Sequence, residues 1–327
     1  MKPAAEFAVV RRSVTETAVA ERPKLGKTDA LMLLAVVLWA VNLPFLKVAL
    51  RAFPPLAFNG IRLAFASLVL VGFLYAAGET LKVERSMLWK LGLLGLSGNT
   101  VYQMLFIHGL FLTTASNSAV IIAVSPVFIA WLSSAVKHER IRPAAWTGLL
   151  VSFAGLYLVI TSQFGAVRLS PHRLQGDLMI LAGNVFWAVY TVLSVPLLRR
   201  ISPLKLTTMT MGLGTAVYLP FCFRDMIRTD FSRIPVQAWL MLAFSGFFAL
   251  AVCYVIWYMS VRRVGNSRTA IYDNLIPILT VCFAWIFLGE RMTRVQAAGA
   301  LIVFLGVYLA RTGRLGFRIR GRGSASL

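Results

Sequence analysis

Two ionisable side chains stand inside apolar runs of this 327-residue chain, and they bound the chemistry open to it. Arg62 lies about eight residues into the run 55–77, roughly 12 Å deep at 1.5 Å per residue, where a charge costs about 2.5–3.5 kcal/mol. A cation so placed either bridges helices by hydrogen bonds to carbonyls or meets the carboxylate of a bound solute. Asn42, at similar depth from the same surface in the run 29–49, is a candidate to satisfy it. Asp273 lies in TAIYDNLIPIL, four residues before Pro277, whose ring leaves a carbonyl without its helical donor and makes the local backbone polar. Its carboxylate can carry a coupling proton or pair with a cation, with Arg62 as the candidate partner.

Neutral polar and aromatic side chains fall on helix faces around these charges. Asn184, Trp187, Thr191 and Ser194 are spaced 3, 4 and 3 apart, Asn99 and Gln103 four apart, and Tyr254, Trp257 and Tyr258 share another segment. Trp39 is the counterpart of Trp187. Aromatic walls with a few polar groups suit a pocket for an amphipathic metabolite, with Arg62 and Asn42 on one side of a pathway and Asp273 and Asn274 on the other. Trp257, Tyr258 and Trp285 suit the bilayer interface equally well.

The elements that must hold these residues are membrane-spanning helices. The chain is 58% hydrophobic and 14% charged with mean hydropathy +0.76, and its apolar residues come in blocks of about 20. The blocks predict ten helices, at 29–49, 55–77, 87–110, 116–136, 144–162, 177–198, 205–223, 237–260, 268–288 and 293–311. The net charge of +21 is a topology signal. Alternate loops starting from the N-terminus carry 23 Lys and Arg against 9 on the other side, which predicts cytoplasmic termini. Neither the charge nor the composition supports nucleic-acid binding, since no soluble face exists to carry a basic patch. The tail from Gly313 is expected to anchor topology against anionic lipid, and residues 1–28, lacking a long apolar run, to be a cytoplasmic tail.

The helices occur twice. Residues 136–158 align without a gap on 287–309, so that Glu139, Arg140, Gly148 and Gly155 fall on Glu290, Arg291, Gly299 and Gly306, and Pro126 on Pro277. Near an offset of 148, DALMLLAVVLWAV from Asp29 matches DLMILAGNVFWAV from Asp177. A duplicated unit of five helices, an odd number, must enter the membrane in opposite orientations, the inverted-repeat architecture of many secondary transporters. The expected organisation is a tail (1–28), a first repeat (29–162), an external loop (163–176), a second repeat (177–311) and a basic cytoplasmic tail (312–327). Gly148 and Gly155, like Gly299 and Gly306, are two turns apart and predict close helix packing. Pro126 and Pro277 predict hinges, Glu139-Arg140 and Glu290-Arg291 stabilised turns, and Asp29 and Asp177 helix N-caps.

This pattern, an intramembrane Pro, a Glu-Arg at the helix end and Gly-x6-Gly in the next helix, resembles the EamA family of the drug/metabolite transporter superfamily. The second copy, LGERMTRVQAAGALIVFLGVYLA, is the nearer to it, while the first has KHER where the family has Leu-Gly before Glu. The resemblance covers about 29–311 and implies ten helices in two inverted repeats. It also implies transport, often export, of small metabolites such as amino acids across the inner or plasma membrane.

Other chemistry finds little support. His108, His138 and His172 are far apart with no Cys or carboxylate cluster, so no metal is expected. Cys222, Cys253 and Cys282 read as packing thiols, and Gly92, Gly95 and Gly98 as helix packing without a phosphate loop. No cofactor and no enzymatic activity are expected. The rival readings are a membrane enzyme or lipid-handling protein, and a transporter of drug-like or nucleotide-derived solutes. Oligomeric state stays open, monomer and dimer alike.

Overall fold

Ten helical spans form in the order the apolar blocks require. A computed structural model describes residues 26–136, 144–161, 171–270 and 272–312, and among these every regular element is helical. The spans are α1 (Lys27–Ala49), α2 (Pro55–Ala76), α3 (85–112), α4 (Ala115–Ala135), α5 (Ala144–Thr161), α6 (Pro171–Leu198), α7 (Pro203–Arg228), α8 (Val236–Val264), α9 (Asn266–Leu288) and α10 (Arg294–Thr312). Seven are long and apolar enough to cross a membrane, and α5 and α10 contain shorter apolar stretches. α3 is diluted by Ser97, Asn99, Thr100 and Gln103, which accounts for the tenth. The protein is an all-α, multi-pass membrane bundle of two inverted five-helix repeats.

Local chemistry sets the helix ends. Pro55 and Pro203 stand in the first turns of α2 and α7, where a missing N–H costs nothing. Thr114 and Ser202 cap α4 and α7, accepting from Asn117 N (3.1 Å) and Lys205 N (3.0 Å). Gly265, at φ 87°, makes the one-residue reversal between α8 and α9 that a side chain would strain.

Four spans are irregular at matched places. α4 breaks between Ile122 and Ser125, just before Pro126. α9 breaks between Thr269 and Leu275, just before Pro277, with a 3₁₀ turn at Tyr272–Asn274. α3 widens into a π-helix at Leu96–Val101 and α8 at Ser245–Val252, so that Ser97-Gly98 and Ser245-Gly246, 148 apart, occupy equivalent turns. Such segments rotate the following side chains and often mark functional sites.

Small residues let backbones meet. A Cβ on Gly155 would lie 2.6 Å from Val303 N and 2.7 Å from Gly299 O, and one on Gly306 would lie 2.6 Å from Gly148 O. The four glycines therefore form the α5–α10 seam. Gly95 meets Gly214 of α7 in the same way, whereas Gly92 faces open space.

Several expectations are corrected. α6 begins at Pro171, so 171–176 are helical and do not belong to the loop, while 163–170 lie outside the described residues. α1 starts at Lys27, inside the expected tail, and α10 runs to Thr312. Asp177 is consequently interior to a helix rather than its cap: fully buried, it accepts from Thr113 Oγ1 (2.6 Å) and Asn117 Nδ2 (3.5 Å). Asp29 is the third residue of α1, reaching back to Gly26 N (2.7 Å). Glu290 secures the N-terminus of a distant helix, not its own turn, taking Ala115 N (3.1 Å), Ser116 N (3.0 Å) and Ser116 Oγ (2.7 Å) at the start of α4. Cys282 is exposed, unlike Cys222 and Cys253. Glu139, Arg140, His138 and the tails lie outside the described residues.

Candidate functional site

A cavity of about 70 Å³ lies between the repeats, walled by α1, α2, α3, α4, α6, α8 and α9. It is lined by residues that pair across the repeat offsets: Trp39 with Trp187, 148 apart, and Gln103 with Tyr254, Ile122 with Asp273 and Ser125 with Ile276, 151 apart. The site thus sits where an inverted-repeat transporter is expected to bind solute.

Arg62 is its electrostatic centre. The guanidinium, 1% exposed, is held by neutral groups from three spans: Nη2 donates to Asn59 Oδ1 (2.6 Å) and Gln103 Oε1 (2.5 Å), and Nη1 to Ser245 Oγ (3.0 Å). The Phe58 ring packs 5.9 Å from the guanidinium carbon. Gln103 is oriented in turn, its Nε2 donating to Tyr254 OH (2.8 Å). Asn42 is not the partner of Arg62, because α2 directs the guanidinium towards Gln103, just after the π-helical turn of α3, and Ser245, the first residue of that of α8. Nor is Asp273: among the described residues no carboxylate lies within 4.0 Å of Arg62. Among the described residues its direct hydrogen-bond partners are all neutral, which leaves the charge to act on a ligand in the cavity that Asp273 also lines.

Three buried polar atoms of cavity-lining residues, Arg62 Nε, Asn42 Oδ1 and Ser125 Oγ, have no hydrogen-bond partner among the described residues. Buried polar atoms are usually paired, and an unpaired set converging on one cavity is what a ligand would satisfy. Asp273, 3% exposed, reaches the cavity from the 3₁₀ turn of α9, so its carboxylate and the Arg62 guanidinium share one space.

The apolar part is aromatic. Trp187 packs 5.2 Å from Tyr254, 5.3 Å from Tyr102 and 5.5 Å from Trp257 between ring centres, and Trp39 lies edge-on to it at 6.5 Å. Trp39 Nε1 donates to Ala249 O (2.9 Å), a carbonyl of the α8 π segment. Trp257 and Tyr258 are fully buried in this cluster, away from the bilayer interface, while Trp285 is 59% exposed. Asn184 lines the cavity and donates Nδ2 to Ile121 O (2.7 Å), steadying the break in α4.

Of the residues singled out from the sequence, Trp39, Asn42, Arg62, Gln103, Asn184, Trp187, Tyr254 and Asp273 converge here. Asn99 and Asn274 do not line the cavity. Asn99 is turned by the α3 π segment against Gly214 of α7, and Asn274, the last residue of the 3₁₀ turn, is partly exposed. Tyr102, Phe106, Ser125 and Ile276 line the cavity without having been singled out. Repeat symmetry carries a signal for Ser125, which stands three residues after the Ile122 that matches Asp273. Among the described residues no group of three His, Cys, Asp or Glu is placed to hold a metal.

Known proteins agree with this architecture. The sequence profile of the EamA-like transporter family matches residues 26–161 and again 174–312. An uncharacterized transporter of Archaeoglobus fulgidus is 30% identical over 87% of this chain and 97% of its own. A probable terminal-alkyne amino-acid exporter of Streptantibioticus cattleyicolor is 30% identical over 90% and 97%. A probable amino-acid metabolite efflux pump of Salmonella typhimurium is 24% identical over 90% and 97%. A solved crystal structure shares the fold at a TM-score of 0.65 and 19% identity, covering 86% of this chain and 95% of its own. With the family profile repeated across both halves and the cavity lying between them, the chain belongs to the EamA-like transporter family.

Proposed function

We propose that this protein exports small carboxylate-bearing metabolites, amino acids foremost, by alternating access across the inner or plasma membrane, with both termini in the cytoplasm. The observation that carries the reading is Arg62: a buried guanidinium of the cavity lining, hydrogen-bonded among the described residues only to neutral groups, is matched by a solute carboxylate. Ser125 Oγ is placed to add a second donor. Asn42 Oδ1 and Asp273 supply acceptors for a substrate amine, Asp273 doubling as carrier of a coupling proton, and Trp39, Tyr102, Trp187 and Tyr254 enclose the apolar body. The relatives named as a probable terminal-alkyne amino-acid exporter and a probable amino-acid metabolite efflux pump support the substrate class. The excess of basic residues on alternate loops supports the orientation.

A cavity of about 70 Å³ holds on the order of five water molecules, less than an amino acid needs. The site must therefore widen to load, as alternating access requires. No chemical change in the solute is part of the cycle, so the protein is a transporter and not an enzyme.

The test is movement of a labelled amino-acid panel in proteoliposomes, with and without a pH gradient, for wild type and Asp273→Asn. The reading predicts saturable movement of at least one unmodified amino acid. It also predicts a variant that retains exchange and loses its response to the gradient. No movement of any amino acid by the wild type overturns the substrate class, and an unchanged gradient response in Asp273→Asn overturns the coupling role.

A further inference from the structure

The two ends of the bundle are sealed unequally. At the end where α3 meets α4, a Cβ on Gly109 would lie 2.7 Å from Gly176 O, and one on Gly176 would lie 2.8 Å from Gly109 O, so α3 and α6 are in backbone contact. Beside that contact Asp177 is fully buried and takes hydrogen bonds from Thr113 and Asn117, themselves 2% and 1% exposed. The repeat offsets carry this seal to the opposite end. At 148 residues Gly176 falls on Thr28 and Asp177 on Asp29. At 151, back from the second repeat, Gly109 corresponds to Ser260, Thr113 to Val264 and Asn117 to Arg268.

At that opposite end the carboxylate is held differently, and α8 reaches α1 through Arg263 Nη1, which donates to Thr28 Oγ1 (3.2 Å). Asp29 is partly exposed and is held by Gly26 N (2.7 Å) and the Tyr272 hydroxyl. Arg268 is exposed, and among the described residues neither it nor Asp29 has an ionic partner within 4.0 Å. Arg268 stands four residues before Tyr272, about one helical turn nearer the end of the bundle. Val264 has no side-chain donor, so of the two groups equivalent to those around Asp177 only Arg268 can serve Asp29.

When two inverted repeats exchange conformations, each end takes on the geometry of the other. We infer that Asp29 and Arg268 form a buried ion pair that seals the cytoplasmic entrance in the alternate state, with Asp29 passing from Tyr272 to Arg268 by a shift of about one turn. The outer entrance is sealed by a carboxylate on neutral donors and the inner one by opposite charges. This deepens the transport reading and rests on it, since a static bundle would have no second state.

The pair is testable by cross-linking, with a readout that needs no substrate. In a background with Cys222, Cys253 and Cys282 replaced by alanine, Asp29→Cys/Arg268→Cys is treated with a short bifunctional methanethiosulfonate, alone and with Gly176→Leu. That leucine wedges the α3–α6 contact apart and favours the state open at that end. Cross-linking of the 29/268 pair is expected to rise at least threefold with the wedge. Thr113→Cys/Asp177→Cys should fall in parallel. Asp177→Ala, which removes the bonds to Thr113 and Asn117, should raise 29/268 cross-linking in the same direction if the wedge variant does not insert. Absence of 29/268 cross-linking in every background, or a rate indifferent to both far-end variants, overturns the inference. A failed amino-acid panel with reciprocal cross-linking intact would overturn the substrate reading and leave the seal standing.

Discussion

Arg62 shows how one buried charge can be tolerated and remain useful. Its three acceptors are neutral and come from α2, α3 and α8, so the guanidinium is fixed in place while its charge is left for a ligand. Losing a charge-assisted hydrogen bond costs about 1.5–3 kcal/mol, or roughly 10–150-fold in affinity. Arg62→Gln is therefore expected to raise the KM for a transported amino acid about 10–100-fold, and to abolish preference for the acid over its carboxamide. Arg62→Lys should not rescue it, because a single ammonium cannot span the Asn59, Gln103 and Ser245 acceptors as the planar fork does. Equal preference for acid and carboxamide in the wild type would contradict this role. Arg62 and Asp273 were legible in the sequence because a charge in an apolar run is costly in hydrocarbon and so marks a cavity or a buried partner. The identity of the groups holding Arg62 was not, since the α3 and α8 π segments that turn Gln103 and Ser245 towards it leave no local sequence signature.

At the scale of elements, the irregularities carry the design. α4 and α9 break just before Pro126 and Pro277, and the freed backbone is held by side chains, as Asn184 holds Ile121 O. Glu290 secures the start of α4 from the α9–α10 connection, and Lys47 of α1 donates to Leu110 O and Phe111 O (2.8 Å each) at the end of α3. A carboxylate at a helix N-terminus and an ammonium at a C-terminus each complement the dipole they face, so both sides of the α3–α4 turn are clamped. Glu290→Ala should then loosen that turn, seen as faster amide exchange at Ala115 and Ser116 than at the buried centre of α4. Unchanged exchange there would contradict the clamp. The α5–α10 seam is the more rigid element. Gly155→Leu has no room beside Val303 N and Gly299 O, so overpacking by about 1–3 kcal/mol is expected, visible as a lower unfolding temperature in detergent. An unchanged temperature would show that the seam yields. Helix positions and the glycine seam could be read from hydropathy and spacing. The buried Asp177 could not, because its partners Thr113 and Asn117 lie at a turn of the other repeat, about 60 residues away.

The whole molecule is two copies of one fold with a cavity between them, and its function depends on their being exchangeable. Matched pairs such as Gln103 with Tyr254 and Ile122 with Asp273 face the same space, so each half presents a different chemistry to one solute. The outward surface is apolar, with Leu68, Leu150, Leu240 and Leu301 all more than 60% exposed, as contact with lipid requires. A pathway built this way must be reachable from both sides of the membrane, though not at once. The most direct measurement is the reaction of a single cavity thiol, Ser125→Cys in the cysteine-free background, with a membrane-impermeant methanethiosulfonate added to either side of oriented vesicles. The account predicts labelling from both sides, with substrate slowing both and Gly176→Leu shifting reactivity from the cytoplasmic to the opposite side. Labelling confined to one side under every condition would contradict alternating access at this cavity.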